Sequence, residues 1–145
     1  MIKMTKFILS IYILITFTSV SLGQESFFEQ ALKMYKEKKY DDAKFLFERN
    51  IVFNPKNVDS YLYLAKIYNK KKEQKKEQQN LETVLLIEPS NEEALLMSMK
   101  IALEKSNYSK VKGLSETFVK VCKNLCDENN AIKESLKNIE SKNES

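Results

Sequence analysis

The sequence contains no histidine and no tryptophan, and it has only two glycines, two prolines and two cysteines. Without histidine, the chain lacks the side chain that proteins use most often as a general base, and it also lacks histidine metal ligands. No glycine-rich loop is present to cradle a phosphate group. With so few glycines the chain cannot form the many tight turns of a β-sandwich or barrel. We therefore expect an all-α fold with no catalytic residue, no cofactor and no metal.

The first 23 residues have the three-part layout of a secretory signal peptide. Two lysines precede an apolar run over residues 7–17, and the small residues Ser21 and Gly23 follow it. We expect cleavage between Gly23 and Gln24, which would export the protein to the periplasm or the outside of the cell. The alternative is an uncleaved segment that tethers the protein to a membrane, because the longer run from Phe7 to Leu22 is only somewhat shorter than the roughly 20 apolar residues that span a bilayer.

The chain that remains after cleavage is long enough for one small domain. Removal of the two N-terminal lysines takes the formal charge from +4 to +2, so the exported part is nearly balanced. A phosphate-binding surface needs a net positive face, and export would separate the protein from nucleic acid. We expect no nucleic-acid partner and, once the signal peptide is cleaved, no stable membrane insertion.

The two prolines, Pro55 and Pro89, lie 34 residues apart, and similar residues precede each of them at the same offsets. The row Tyr61-x2-Leu64-Ala65-x2-Tyr68 opens one of these segments, and Tyr40-x2-Ala43-x3-Phe47 stands in the other. In these rows the chain resembles a tetratricopeptide repeat (TPR) protein over residues 24–125. The resemblance implies an all-α, right-handed solenoid of helical hairpins with three repeats, over residues 24–57, 58–91 and 92–125.

Within the first repeat, apolar residues at helical spacing predict helices near residues 26–38 and 40–53. Small Ala31 and Ala43 would let these two helices approach closely. The second repeat departs from this pattern, because Gln74 and Glu77 stand at the offsets of Tyr40 and Ala43. From this we predict a wide, solvated turn over residues 69–74, with poor packing in the first turns of the helix that follows.

The same polar stretch contains a run of lysines, which has two interpretations. It is either a solvated charge run, interrupted by Glu73 and Glu77, or a basic rim for an acidic partner or an anionic lipid. The lysines concerned are Lys70, Lys71, Lys72, Lys75 and Lys76.

The third repeat keeps the spacing but has Lys123 in the place of the terminal proline. Because nothing stops the helix there, we expect it to run on for a further turn before Asp127. The C-terminal part, residues 126–145, predicts a capping helix over about residues 130–141 with Ile132 and Leu136 on its inner face. From Asn138 onward we expect the chain to fray.

Cys122 and Cys126 are the only cysteines, and their spacing leaves three interpretations open. In an exported chain an even pair indicates a disulfide, here a small staple between the last repeat and the cap. This bond would be strained on a continuous helix and easy only if the helix ends between the two residues. The alternatives are two buried thiols that pack as apolar residues, and a redox or metal pair.

The resemblance also implies where a partner would bind, because first helices of successive TPR repeats line a concave groove. Relatives that grip a C-terminal carboxylate do so with lysines, asparagines and an arginine. The matching positions here hold Phe28, Leu32, Tyr63, Glu93 and Met97, so this clamp is absent. The offsets that point into the groove predict a mixed aromatic, aliphatic and basic contact surface, for which we select Phe28, Tyr35, Leu62, Tyr63, Lys66, Lys70 and Lys100.

These observations predict a non-catalytic interaction module, an adaptor or scaffold, that binds a protein or peptide segment in the groove. A second hypothesis is a structural or assembly subunit that associates through its end repeats or its cap. An enzyme is a third possibility and would need convergent acids, for which the groove side offers only Glu29, Glu93 and Glu104.

Overall fold

In the computed structural model, residues 25–143 are described, apart from the side chains of residues 140–143. The predicted cleavage junction between Gly23 and Gln24 lies outside the described residues. The described chain forms seven α-helices and no strand. These helices are α1 Phe27–Lys36, α2 Tyr40–Phe53, α3 Val58–Lys70, α4 Gln74–Ile87, α5 Glu92–Glu104, α6 Tyr108–Val121 and α7 Glu128–Asn143.

Consecutive helices pair as three hairpins, α1 with α2, α3 with α4 and α5 with α6, and each hairpin packs on the next. Ala31 and Ala43 are fully buried, as their predicted role at a close helix crossing requires, and Ala65 of the second hairpin is fully buried as well. Each second helix also buries one large apolar side chain completely, from Phe47 in α2 through Leu81 in α4 to Phe118 in α6. The result is an all-α solenoid of helical hairpins, which confirms the predicted fold class.

The turns inside the three hairpins share one backbone geometry. Each has three residues, and the central one has a positive φ angle, at 61° for Lys38, 59° for Lys72 and 54° for Ser106. In the first turn, the backbone N–H of Lys39 donates to the carbonyl of Met34 at 2.9 Å, and both later turns repeat this bond. This is the Schellman arrangement, which satisfies the last free carbonyls of a helix. It forms here without glycine.

The prediction of a wide turn over residues 69–74 is therefore wrong, although Asn69, Lys70 and Lys72 are exposed. Helix α3 continues through Lys70 and α4 begins at Gln74, so this turn is as short as the other two. Nor is the start of α4 poorly packed, because Glu77 is only 4% exposed. The Asn69 amide donates to the Glu77 carboxylate at 3.0 Å and so replaces, with a hydrogen bond, the apolar contact of the first hairpin.

The junctions between hairpins also follow the repeat. Each of the first two contains a proline, Pro55 or Pro89, and ends at an asparagine that caps the next helix. The side-chain oxygens of Asn57 and Asn91 accept backbone N–H groups three residues ahead, at 2.8 and 3.0 Å. Such caps satisfy donors that a helix N-terminus otherwise leaves free.

The third junction has no proline, yet α6 ends at Val121 and does not continue as predicted. Cys122 is extended, with φ −63° and ψ 139°. The next three backbone N–H groups, of residues 123, 124 and 125, all donate to the carboxylate of Glu92 at 2.9, 3.0 and 2.8 Å. A carboxylate at the start of α5 thus ends α6, because it holds the chain that follows α6 away from the helix path.

Helix α7 covers the end of the third hairpin. Ile132 and Leu136 are 4% and 7% exposed and pack in the cluster that contains Phe118. The Ser115 hydroxyl also donates to the buried Asn129 side chain at 3.0 Å. The helix starts two residues earlier than the predicted capping helix, and it continues to Asn143, past the residue at which fraying is predicted.

Candidate functional site

The first helices α1, α3 and α5 carry the predicted contact residues, and we call the surface that they form the first-helix face. At the α1–α3 end of this face lies a cluster of aromatic rings. Tyr63 lies at its centre, 4.9 Å from the ring of Tyr35 and 6.3 Å from that of Phe28. All three of these side chains are partly exposed, so the structure brings the predicted aromatic residues together at the surface.

Tyr63 and Phe28 also support the core beneath them. The Tyr63 ring is stacked on the fully buried Phe47, with centroids 5.2 Å apart, and the Phe28 ring lies 5.8 Å from Phe47. Partial burial, together with the nearby Tyr40, Tyr63 and Glu93 side chains, raises the pKa of Tyr35 above its ordinary value. Tyr35 therefore stays neutral at physiological pH and can donate a hydrogen bond from its hydroxyl.

A recess of about 390 Å³ opens beside this cluster, between α3 and α5. Its walls combine three lysines and three glutamates with amide, aromatic and aliphatic groups. The lining residues are Tyr35, Lys66, Asn69, Lys70, Glu77, Glu93, Met97, Lys100, Ile101 and Glu104.

The three lysines of the recess differ in their surroundings. Lys66 forms an ion pair with Glu93 at 2.7 Å and also lies over the Tyr63 ring, 4.7 Å from its centroid. Lys70 is exposed and lies 5.5 Å from the centroid of the Tyr40 ring. Lys100 is exposed as well. The positive charge of Lys66 is thus balanced within the protein, which leaves Lys70 and Lys100 as the cations most open to a partner.

Leu62 does not belong to the accessible part of the first-helix face. It is 6% exposed and packs with Ala65, Leu81 and Ala94 in the cluster between the second and third hairpins. The side chain of Leu62 therefore contributes to packing between repeats, because a neighbouring helix covers it. The prediction of Leu62 as a partner-contact residue therefore needs correction.

Two polar side chains at the start of α4, Gln74 and Glu77, both have hydrogen-bond partners. The sequence predicts poor packing in the first turns of α4, yet Glu77 is buried there, while the partly exposed Gln74 donates from its amide to Glu104 at 2.6 Å. Burial raises the pKa of Glu77, with a further contribution from the nearby Glu104 and an opposing one from the hydrogen bond of Asn69. The repeat spacing could have indicated the burial of Glu77, because Glu77 lies 34 residues after Ala43, which is buried.

The three acids considered for catalysis all have structural partners. Glu29 forms a capping box with Ser26 at the start of α1, while Glu93 pairs with Lys66 and Glu104 accepts from Gln74. Over residues 25–143, no group of three histidine, cysteine, aspartate or glutamate side chains could hold a metal ion. In the same range, no helix has the length and apolar character needed to cross a membrane.

Two lysines of the predicted basic rim are held by neighbouring side chains. Lys71 forms an ion pair with Asp41 of the first hairpin. Lys76 pairs with Glu73 at 2.6 Å and lies over the Tyr68 ring, 5.3 Å from its centroid. This arrangement favours the solvated and locally paired charge run over the basic rim.

Cys122 and Cys126 form a disulfide across the junction between α6 and α7, with Cα atoms 5.4 Å apart. Helix α6 ends at Val121, just before the first of them, so the two cysteines do not lie on a continuous helix and the bridge is not strained in the way that such a helix would impose. The bonded loop is the same one whose N–H groups surround the Glu92 carboxylate.

No family model matches the sequence, and no curated protein matches it either. Solved structures do resemble the fold. The TPR domain of Sgt2 from Aspergillus fumigatus aligns with a TM-score of 0.66 at 15% identity, over 82% of this chain and 80% of that one. The first TPR of Spaghetti (RPAP3), bound to the HSP90 peptide SRMEEVD, gives 0.68 at 16% identity over 78% and 90%.

The Yersinia enterocolitica type III secretion chaperone SycD, in complex with a peptide of the translocator YopD, aligns with a TM-score of 0.69. The identity is 15%, and the alignment covers 87% of this chain and 97% of that one. At such identities the similarity concerns the fold, which is TPR-like.

Proposed function

We propose that this protein is a non-catalytic interaction module, an adaptor or scaffold, that binds a protein or peptide segment along the first-helix face. The observation that carries the proposal is the row of partly exposed rings and open lysines beside the recess. Aromatic side chains offer a large contact area at a small entropic cost, and exposed lysines attract acidic or carbonyl-rich chains.

The TPR-like structures that resemble this fold add support, since two of them hold peptides. Their ligands do not transfer to this chain at 15–16% identity. The carboxylate clamp of some TPR relatives is also missing, because Phe28, Tyr63 and Glu93 stand at clamp positions. We therefore expect recognition of an internal segment of a partner and not of its C-terminal carboxylate.

We also propose that the protein works outside the cytoplasm. The layout of residues 1–23 is that of a signal peptide, and a disulfide such as Cys122–Cys126 persists in oxidising compartments. N-terminal sequencing of the protein from its source cell tests this part. A chain that starts at Gln24 would support export with cleavage, while an intact Met1 in the membrane fraction would support a tethered form.

Site-specific photo-crosslinking in the source cell tests the binding surface. A photoreactive amino acid replaces Lys100 on the first-helix face, and a matched variant carries it at the exposed Gln79 on α4. We expect one defined crosslinked species with the probe at Lys100 and none with the probe at Gln79. Equal crosslinking at both positions, or crosslinking at Gln79 alone, would contradict binding at the first-helix face.

One observation favours association between copies of the chain as a second candidate function. Apolar side chains are exposed on two second helices, Val52 and Phe53 at 76% and 63% and Leu86 at 83%. An assembly subunit would bury such side chains in its contacts. The predicted route through the cap gains less support, because Ile132 and Leu136 of α7 already face the third hairpin.

A further inference from the structure

The middle repeat replaces apolar side chains with polar ones at two positions where its helices meet. Asn69 stands at the offset of Tyr35 in the first repeat and of Leu103 in the third. Glu77 likewise stands at the offset of Ala43 and Val111, which are both fully buried. The fold itself does not require an amide and a carboxylate here, since aromatic or aliphatic side chains fill the same positions in the two neighbouring hairpins.

Glu77 is costly to bury, and the protein compensates this cost only in part. Its side chain is 4% exposed, and the described structure gives it one hydrogen-bond donor, the Asn69 amide at 3.0 Å. A buried carboxylate normally needs an ion pair or several donors. Glu77 also lines the recess, so its carboxylate borders the space that a partner would enter.

A second carboxylate extends this acceptor surface. Glu104 on α5 lines the same recess, and its Oε2 accepts from the Gln74 amide at 2.6 Å. The amides of Asn69 and Gln74 each donate to one of these carboxylates. The groups that remain free for a partner at this point are therefore mainly oxygen atoms. Glu104 lies close enough to contribute to the raised pKa of Glu77, so the two carboxylates repel each other when both are ionised.

The pairing of Lys66 with Glu93 leaves two lysines and two glutamates in the recess, so the remaining charges are equal in number. Lys66 is paired with Glu93, and Lys70 lies over the Tyr40 ring at the α1 side. Lys100 is exposed on α5. Among the described residues, none of the three lysines forms an ion pair with Glu77 or Glu104.

We propose that the recess binds a cationic side chain, arginine or lysine, of the partner segment, with the carboxylates of Glu77 and Glu104 as its acceptors. A guanidinium or ammonium group has only donors, so it complements a surface of free oxygens. Met97 and Ile101 line the same recess and can contact the methylene stem of such a side chain. This inference rests on the proposed function, because it names the chemistry of a segment bound at the first-helix face.

Selection from a displayed library of short random peptides tests the inference without knowledge of the natural partner. The targets are the wild-type protein, Glu77→Gln and the control Glu116→Gln, which removes an exposed carboxylate on α6. We expect the wild type and the control to select peptides with arginine or lysine at one fixed position. Glu77→Gln should lose this preference and retain the others.

Binding of one selected peptide, measured by fluorescence anisotropy, gives the quantitative test. Norleucine in place of the basic residue should weaken binding to the wild type at least about tenfold, a change typical of a lost charge-assisted contact. The same substitution should change binding to Glu77→Gln by less than about twofold, since the shared contact is already gone. Equal losses in both proteins would place the basic residue elsewhere and overturn the inference.

Two further outcomes separate this inference from the proposed function. One outcome is that the selected peptides lose binding when the charge of Lys100 is reversed and yet show no preference for arginine or lysine at any position. This result would overturn the cation site and leave binding at the first-helix face intact. If no selected peptide loses binding when the charge of Lys100 is reversed, the result would contradict both the cation site and the proposed function. Should Glu77→Gln misfold by circular dichroism, Glu77→Ala takes its place, because the first hairpin folds with Ala43 at that offset.

Discussion

At the scale of single residues, the offsets of the repeat show which side chains the fold needs and which it tolerates. Ala43, Glu77 and Val111 occupy one position in three hairpins, and all three are buried. Burial of alanine or valine there stabilises the folded state, whereas burial of a carboxylate destabilises it because the group loses most of its hydration. The hydrogen bond from Asn69 offsets part of that loss and fixes the orientation of the carboxylate.

Replacement of Glu77 by glutamine should reveal this cost as a pH-dependent gain in stability. Burial raises the folded-state pKa of Glu77, so folding favours the protonated form. The stability of the wild type should then fall as the pH rises from the unfolded pKa through the folded one, while the variant lacks this slope. We expect the stability of Glu77→Gln relative to the wild type, measured by urea unfolding, to increase as the pH rises above about 4, the ordinary glutamate value.

Glu116→Gln is the matched control, because it removes an exposed carboxylate on α6. If Glu77→Gln instead loses stability relative to the wild type as the pH rises, the prediction is wrong. The ionised carboxylate would then be stabilising in the folded state, and the acceptor surface at the base of the recess would already be satisfied.

At the scale of helices and turns, most boundaries follow from the sequence because they depend on local features. Apolar spacing and small residues predict α2 over the residues that it occupies, and the asparagine caps recur with the two prolines. The end of α6 could not be predicted in this way. It depends on Glu92, which is about thirty positions earlier in the chain, and such pairs leave no local pattern.

Replacement of Glu92 by glutamine should loosen the junction between α6 and α7. The backbone N–H groups of residues 125, 124 and 123 lower the pKa of Glu92, with a further contribution from the charge of Lys123. A charged acceptor with two oxygens holds three donors better than an amide with one oxygen does. In the oxidised protein we expect the amides of residues 123–125 to exchange hydrogen at least about tenfold faster in the variant.

Glu128→Gln, an exposed change at the start of α7, serves as the control for this measurement. The pH dependence gives an independent check. Because the folded-state pKa of Glu92 is lowered, its contribution should be present above the ordinary glutamate value and disappear as the pH falls through the lowered one. Unchanged exchange in Glu92→Gln would mean that the disulfide alone holds the loop.

At the scale of the whole molecule, the sequence predicted the surface better than its chemistry. Repeat offsets placed Tyr35, Tyr63 and Lys66 together on the first-helix face, where the structure has them. They could not show that Lys66 is paired with Glu93 of the next hairpin, since this contact joins two repeats. They also assigned Leu62 to the surface, because an offset gives the direction of a side chain but not what packs over it.

The oligomeric state distinguishes the two candidate functions of the whole molecule. Val52 and Leu86 lie 34 residues apart, near the ends of α2 and α4, and are 76% and 83% exposed. If the first-helix face is the working surface, the mature protein should sediment as a monomer at micromolar concentration. The double change Val52→Ser and Leu86→Ser should then leave crosslinking from Lys100 unchanged, because side chains this exposed contribute little to folding. The opposite result would be oligomers that grow with concentration and disappear, together with the crosslinks, in the double variant while its helical content is preserved. That result would favour an assembly subunit that associates through the exposed ends of its second helices.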